Sequence, residues 1–473
     1  MTSRLILFAC LAMFWWLIKR DIAWRQGLSR AIWIPTLWVG ILASRPLSTW
    51  LGFGGVREDL ESATAGSPID MLGYLSLIVA AAVVLNRRRL NWGVLINRNW
   101  PVFLFYGYLL VSVVWANNPF VSSKRWFKEF GNILVGLVIL TEVNPEQALR
   151  AVFVRCGYLL IPLSLVFIRY FPDWGRRYNV HSGELEAIGV TFQKNSLGAM
   201  VLVCSLVILW DWFELQRTRH QQGGKKRRLD SGVRLALLAI AVYLLHLCDS
   251  KTSIVCLMMS AGILTATRLP LLRKRLAALS GLAVAGIAGF FILDQMFGIK
   301  EMVVQSLGRD MTFTGRTDVW QVLLKVGTDP LIGTGFCSFW DDPSFQSKLP
   351  YWVAFSAHNG YLEIYLGGGL VGLCLLAVML GATGVRINRS LARGGDFAVM
   401  RFAVFVVTLI ANISESNIAV MTPVGFLFLL AAIGQAGPER ARQPAGASAA
   451  RKPTGPSGGG EADEPAVCSQ PSR

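Results

Sequence analysis

Long apolar runs separated by short polar interruptions fill the chain from its first residues to about position 434. They fall near 5–18, 31–44, 69–85, 101–115, 131–142, 152–171, 197–213, 233–248, 253–267, 277–297, 359–381, 399–414 and 417–434. The pattern predicts an all-α polytopic membrane protein of about 12–13 transmembrane helices. Several runs are shorter than the roughly 20 residues that span a bilayer, so their ends borrow interfacial residues such as Trp33, Trp38, Trp100, Trp115 and Trp212. The first run, Leu5 to Ile18, lacks a small-residue cleavage site and is followed by Lys19 and Arg20. It reads as an uncleaved anchor with its N-terminus outside. From about Gly437 the chain is rich in Gly, Pro, Ala and Ser without periodicity, which predicts a disordered cytoplasmic tail over 435–473 behind a membrane domain over 1–434.

Composition narrows the class further. With 53% hydrophobic and 16% charged residues, soluble globular, fibrous and disordered readings are excluded. A net charge of +17 would suggest nucleic acid in a soluble chain, but here the cations sit between apolar runs and act as topology signals, so no nucleic-acid partner is expected. Alternate loops carry Lys19/Arg20/Arg25/Arg30, Arg87/Arg88/Arg89/Arg98, Lys225/Lys226/Arg227/Arg228, Arg268/Arg273/Lys274/Arg275 and Arg386/Arg389/Arg393/Arg401, and these belong in the cytoplasm. The loops 45–68, 116–130, 172–196, 249–252, 298–357 and 415–416 then face outward, 298–357 being the one long insertion. Eight cysteines without a Cys-x-x-Cys pair imply neither a disulfide framework nor a zinc site.

Most helix interiors lack the ionisable residues that ion-coupled transporters carry near the midplane. The outward segments, by contrast, keep Lys124, Arg125, Lys128, Arg176, Arg177, Lys194, Lys251, Arg309 and Arg316 against the topology bias. A lipid diphosphate would account for them, since ammonium and guanidinium groups bind phosphate oxygens through charge-assisted hydrogen bonds; the alternative for each is snorkelling toward head groups. Of the four histidines, His181 and His358 lie in outward regions. His358 opens a helix in Ala357-His358-Asn359-Gly360-Tyr361-Leu362-Glu363, where an imidazole can serve as a general base near neutral pH. Asn359 and Glu363, four residues apart on one helical face, are placed so that one braces the other.

Five segments carry a resemblance. Gly189-Val190-Thr191-Phe192-Gln193-Lys194-Asn195-Ser196-Leu197-Gly198, Asp249-Ser250-Lys251-Thr252-Ser253, Thr314-Gly315-Arg316-Thr317-Asp318-Val319-Trp320, Pro330-Leu331-Ile332-Gly333-Thr334-Gly335-Phe336 and the run from His358 to Glu363 are similar, in that order, to the bacterial O-antigen ligase and polysaccharide polymerase superfamily. Arg125-Trp126-Phe127-Lys128-Glu129-Phe130-Gly131-Asn132 resembles its exopolysaccharide production branch. The resemblance spans about residues 30–434.

It implies a metal-independent, cofactor-free glycosyltransferase in the bacterial inner membrane, moving a glycan from undecaprenyl diphosphate to an acceptor hydroxyl at the periplasmic face. The implied acceptor is lipid A core or a lipid-linked repeat, which separates a ligase from a polymerase, and membrane lipids surround the chain. By the same resemblance His358 matches the base and Arg316 a loop arginine that holds the donor diphosphate. Lys251 stands where many ligases have arginine, keeping charge but losing the bidentate fork. Lys194 and Arg177 are further donor-binding candidates, with Asn359 and Glu363 in support. Fixed cations would stabilise the departing diphosphate without a metal, and no Asp-x-Asp motif occurs in an outward loop. A polysaccharide flippase or exporter would instead line a central cavity with ionisable residues.

The topology is open to a direct check. In a cysteine-free background, a cysteine placed at Gln346 should be labelled from outside the cell, and one at Gly224 only after permeabilisation; the reverse pattern would put the proposed base and its donor on opposite sides of the membrane.

Overall fold

The computed structural model describes residues 2–53, 67–179, 183–217, 225–269, 316–350, 353 and 356–434. The helix expected at 277–297, Arg309, His181, the probe position Gly224 and the tail 435–473 lie outside the described residues. What is described is almost wholly helical: α1 (Thr2–Trp24), α2 (Trp33–Leu42), α3 (Pro68–Arg87), α4 (Trp92–Arg98), α5 (Trp100–Val111), α6 (Pro119–Leu140) and α7 (Pro145–Tyr170), then a small antiparallel hairpin of β1 (Arg176–Tyr178) and β2 (Leu185–Ala187). There follow α8 (Lys194–Arg217), α9 (Lys225–Leu247), α10 (Lys251–Ala266), α11 (Arg316–Lys325), α12 (Gly360–Ala392), α13 (Asp396–Ser414) and α14 (Pro423–Ala432). Among the described residues six helices, α3, α7, α8, α9, α12 and α13, are long and apolar enough to cross a membrane, and α2, α5, α10 and α14 are shorter apolar helices. The chain is thus an all-α, multi-pass membrane protein.

Local sequence explains several helix starts. Asn118, Asn144 and Thr422 each precede a proline and accept a backbone N–H two residues beyond it, from Val121, Gln147 and Gly425. A polar cap followed by proline at the first helical position satisfies an orphan donor and presets φ. This signal changes one expectation: residues 116–130 are not an outward loop throughout, because the Asn118-Pro119 cap begins α6 there. Lys124, Arg125 and Lys128 therefore stand on helix, while Ser122 and Glu129 on a neighbouring face are buried. Likewise the break after α13 runs from Glu415 to Thr422, longer than the 415–416 expected, so the apolar run 417–434 yields only the ten-residue α14.

α7, α8 and α13 form the buried centre, whereas α3 and α9 are largely uncovered along their apolar stretches. α8 packs against α7, α9, α10 and α14, and α13 against α10, α12 and α14. Toward one end of this bundle the sequence hides charge that the apolar runs did not reveal. Asp21 of α1 accepts from Arg25 Nε (2.8 Å) and from Arg155 Nε of α7 (2.7 Å). Asp211 of α8 accepts from Arg25 Nη2 (2.7 Å) and from Arg234 Nε of α9 (3.1 Å). All five side chains are buried, so two carboxylates shared among three guanidinium groups tie four helices together. Asp211 is 16 residues beyond Asn195, hence roughly 24 Å along α8 from the cluster described next.

At the other end the long α12 is broken at Gly369, whose φ of 60° and ψ of −160° lie outside the helical region. The segment Pro330–Phe336 enters the break and replaces the lost hydrogen bonds. Thr334 and Gly335 N–H donate to the carbonyls of Leu366 and Gly367, and Leu370 and Val371 N–H donate to those of Pro330 and Leu331, all at 2.9–3.0 Å. A Cβ on Gly369 would lie 2.3 Å from the Leu331 carbonyl, and one on Gly333 2.6 Å from Gly367. The glycines of both segments are thus what allows a loop to replace part of a membrane helix ladder, a solution open only where the irregular backbone is buried in protein.

Removing one partner of the charged clamp should be costly. Asp211→Ala leaves Arg25 and Arg234 short of a counter-ion and should lower stability by about 3–5 kcal/mol. Asp230→Ala, which breaks the partly exposed Arg20–Asp230 pair, should cost about 0–1 kcal/mol. Thermal loss of the monodisperse species in detergent separates the two; equal behaviour would mean that the buried network does not hold the bundle.

Candidate functional site

The site assembles around a residue that the sequence did not single out. Glu415 follows the last turn of α13 in extended conformation, with its carboxylate shared by groups from three distant segments. Asn195 Nδ2, at the start of α8, donates to Oε1 at 2.7 Å; Arg316 Nη2, opening α11, donates to the same oxygen at 2.8 Å; His358 Nδ1 lies 3.3 Å from Oε2. Arg316 also donates through Nη1 to the Ser414 carbonyl, and Thr252 Oγ1 of α10 pairs with Ser414 Oγ at 2.9 Å. Four of the motif segments thereby meet at Ser414-Glu415. The only sequence-level trace of Glu415 is an acid flanked by serines between two apolar runs.

His358 is held in an unusual backbone conformation, φ 47°, which a non-glycine residue keeps only when its surroundings fix it. The preceding Ala357 is clamped on both sides: its N–H donates to Glu363 Oε1 (2.7 Å), and its carbonyl accepts the Trp320 indole N–H (2.8 Å). Glu363 also accepts from Trp340 Nε1 at 2.9 Å. Asn359 caps α12 by accepting from Tyr361 and Leu362 N–H at 3.0 and 3.2 Å. The two supporting residues therefore brace different things, Asn359 the helix start and Glu363 the loop before the histidine. Gly360 is required by space, since a Cβ there would lie 2.1 Å from Asn412 Oδ1, and that oxygen accepts the N–H groups of Asn417 and Ile418 just beyond Glu415.

The other predicted cations surround this cluster at different removes. Lys194 adjoins Asn195 and pairs with Glu186 at 2.8 Å; Arg177 stands opposite Glu186 across the hairpin. Lys251 pairs with Asp249 at 2.5 Å, both more than half exposed, and precedes Thr252. Among the described residues Arg316 shares Glu415 with His358, whereas Lys194 and Lys251 pair with other carboxylates. Arg45, also unflagged by the sequence, is buried and holds the Gly189–Lys194 segment in place. It donates to the carbonyls of Thr191 (3.1 Å), Gly189 (3.3 Å) and Trp174, between the rings of Trp174 and Phe192. Burial lowers its pKa to about 10, which leaves it cationic at neutral pH.

A carboxylate on Nδ1 fixes the imidazole so that Nε2, which has no protein partner among the described residues, is the nitrogen available to take a proton. Beside it the Arg316 fork offers fixed positive charge. Such an arrangement can take up a proton at Nε2 beside a guanidinium that Glu415 and the Ser414 carbonyl hold in place.

Residues 236–377, which include Lys251, Arg316, His358 and Glu363, match the family described as O-Antigen ligase. Over 390 residues the chain is 23% identical to the exopolysaccharide production protein ExoQ of Rhizobium meliloti (strain 1021), an alignment covering 80% of this chain and 85% of that protein.

Glu415→Gln keeps the shape of the hub but removes its charge, and should lower turnover by about 10- to 100-fold in a glycan-transfer assay on purified protein, with Glu415→Asp intermediate. Full turnover in the glutamine variant would remove Glu415 from the site.

Proposed function

We propose, for a chain that belongs to the O-antigen ligase superfamily on its exopolysaccharide branch, that the Glu415-centred cluster transfers a glycan from undecaprenyl diphosphate to an acceptor hydroxyl at the periplasmic face of the inner membrane. The chain is a membrane glycosyltransferase of the ligase or polymerase kind; donor, acceptor and sidedness are the proposal. The observation that carries it is the convergence of Asn195, Arg316 and His358 on one carboxylate.

In this reading the acceptor oxygen attacks the anomeric carbon as His358 Nε2 takes its proton. The bond from that carbon to the diphosphate oxygen breaks, and its electron pair leaves with undecaprenyl diphosphate. Arg316 holds the diphosphate through charge-assisted hydrogen bonds, with Lys251, Lys194 and Arg177 flanking it, and no metal is needed. Glu415 orients the imidazole and stabilises the imidazolium that forms. Asn359 and Glu363 keep His358 in its strained conformation. The acceptor is lipid A core or a glycan in the ligase reading. Polymerisation of lipid-linked repeats is the second reading, favoured by the likeness to an exopolysaccharide production protein over 80% of the chain.

Purified protein incubated with lipid-linked oligosaccharide, with and without acceptor, tests both. His358→Ala should lose about 100-fold or more in turnover yet keep donor binding, as expected for a lost general base. Arg316→Ala should lose donor affinity as well as rate. Normal turnover in His358→Ala would eliminate the base.

A further inference from the structure

Four of the outward cations near the site are paired with carboxylates where they stand. Lys194 meets Glu186, Lys251 meets Asp249, Arg125 meets Asp341 and Arg316 meets Glu415. Lys124 and Lys128 differ. They lie one turn apart on α6, both half-buried, and among the described residues neither ammonium is within ion-pair distance of a carboxylate. Each is seated on an aromatic ring instead, Lys124 Nζ 4.6 Å from the centroid of Phe120 and Lys128 Nζ 5.7 Å from that of Tyr74. A ring face offsets part of the cost of removing an ammonium from water without neutralising it; Lys128 also feels the Asp70 carboxylate, which does not reach ion-pair distance, while Lys124 and Arg125 add like charge beside it.

Between the two lysines, Arg125 reaches the other way. Its Nη1 donates to the Cys337 carbonyl at 2.6 Å and to the Asp341 carboxylate. Asp341 follows Trp340, whose indole donates to Glu363, the carboxylate that also fixes Ala357 beside His358. The lysine turn of α6 and the histidine are therefore fastened to one loop.

We propose that Lys124 and Lys128 form a second anion site, which binds the diphosphate of a lipid-linked saccharide acceptor while Arg316 holds that of the donor. The proposal rests on the reading of His358 and Arg316 given above and on its polymerisation form, in which the acceptor is itself lipid-linked. Two lysines suit an acceptor anchor that must later be released, because compact point charges hold a phosphate without demanding one bidentate geometry. The phosphate of an anionic phospholipid head group shares this chemistry, so the test must separate the two sources.

Full-length protein in phosphatidylcholine nanodiscs would be titrated with undecaprenyl diphosphate and the bound equivalents counted by native mass spectrometry. Wild type should retain two; Lys124→Ala/Lys128→Ala should retain one; Lys124→Arg/Lys128→Arg should restore the second, which shows that the fold tolerates change at these positions. One equivalent in wild type, or two in the double alanine variant, would overturn the proposal. So would loss of the lysine-dependent equivalent when phosphatidylglycerol is added at matching concentration, because the site would then belong to a head group. Arg316→Ala should remove the other equivalent. If it removes none while the double alanine variant removes one, the donor reading fails and the lysine site stands.

Discussion

One carboxylate with three claimants organises the functional end of this protein. Glu415 is reached by Asn195 from α8, Arg316 from α11 and His358 from the start of α12, which lie 220, 99 and 57 residues before it in the chain. An anion held between a guanidinium, an amide and an imidazole fixes all three donors at once. Losing it would leave Arg316 and His358 facing each other with no counter-charge between them. The backbone beneath Glu415 is built to keep it there: Asn412 Oδ1 accepts two N–H groups of the following turn, and Gly360 leaves room for Asn412 to do so.

Rigidity around the histidine has a second source in the broken α12. A continuous helix from Gly360 would need no loop inside it; the break at Gly369 draws Pro330–Phe336 into the ladder and so anchors the segment leading on to Trp340 and Asp341. From there Trp340 fixes Glu363 and Asp341 fixes Arg125. The loop is thus held at its root by backbone hydrogen bonds and at its tip by α6 and α12. In the proposed reaction, preorganisation of this kind would let fixed charges act on a departing diphosphate without reorganising as it leaves.

The fold class was legible because hydrophobic runs of membrane length admit few architectures. The motif segments were legible as a set through their resemblance to one superfamily, and Gly333, Gly335 and Gly360 prove to be where backbone or Asn412 comes too close for a Cβ. Glu415 and Arg45 were not, for different reasons. Glu415 has no local partner, and its role exists only once α8, α11 and α12 are brought together. Arg45 binds carbonyl oxygens, which every residue carries, so no side chain elsewhere announces it. The same holds for the clamp of Asp21, Arg25, Arg155, Asp211 and Arg234: each lies near an end of an apolar run, where charge is expected to face water, and only packing shows that they face one another.

The two ends of the bundle use charge in opposite ways. In the clamp, three guanidinium groups share two buried carboxylates and water is excluded, so the network is closed and serves cohesion. Around Glu415 the groups are only partly buried, His358 keeps about a third of its side chain exposed, and its second nitrogen has no protein partner among the described residues. The proposed reading makes use of that openness, which a closed, fully paired network such as the clamp does not offer. An unspent proton acceptor beside a guanidinium is instead what a transfer reaction requires: one group to receive the acceptor's proton and another to stabilise the charge that departs.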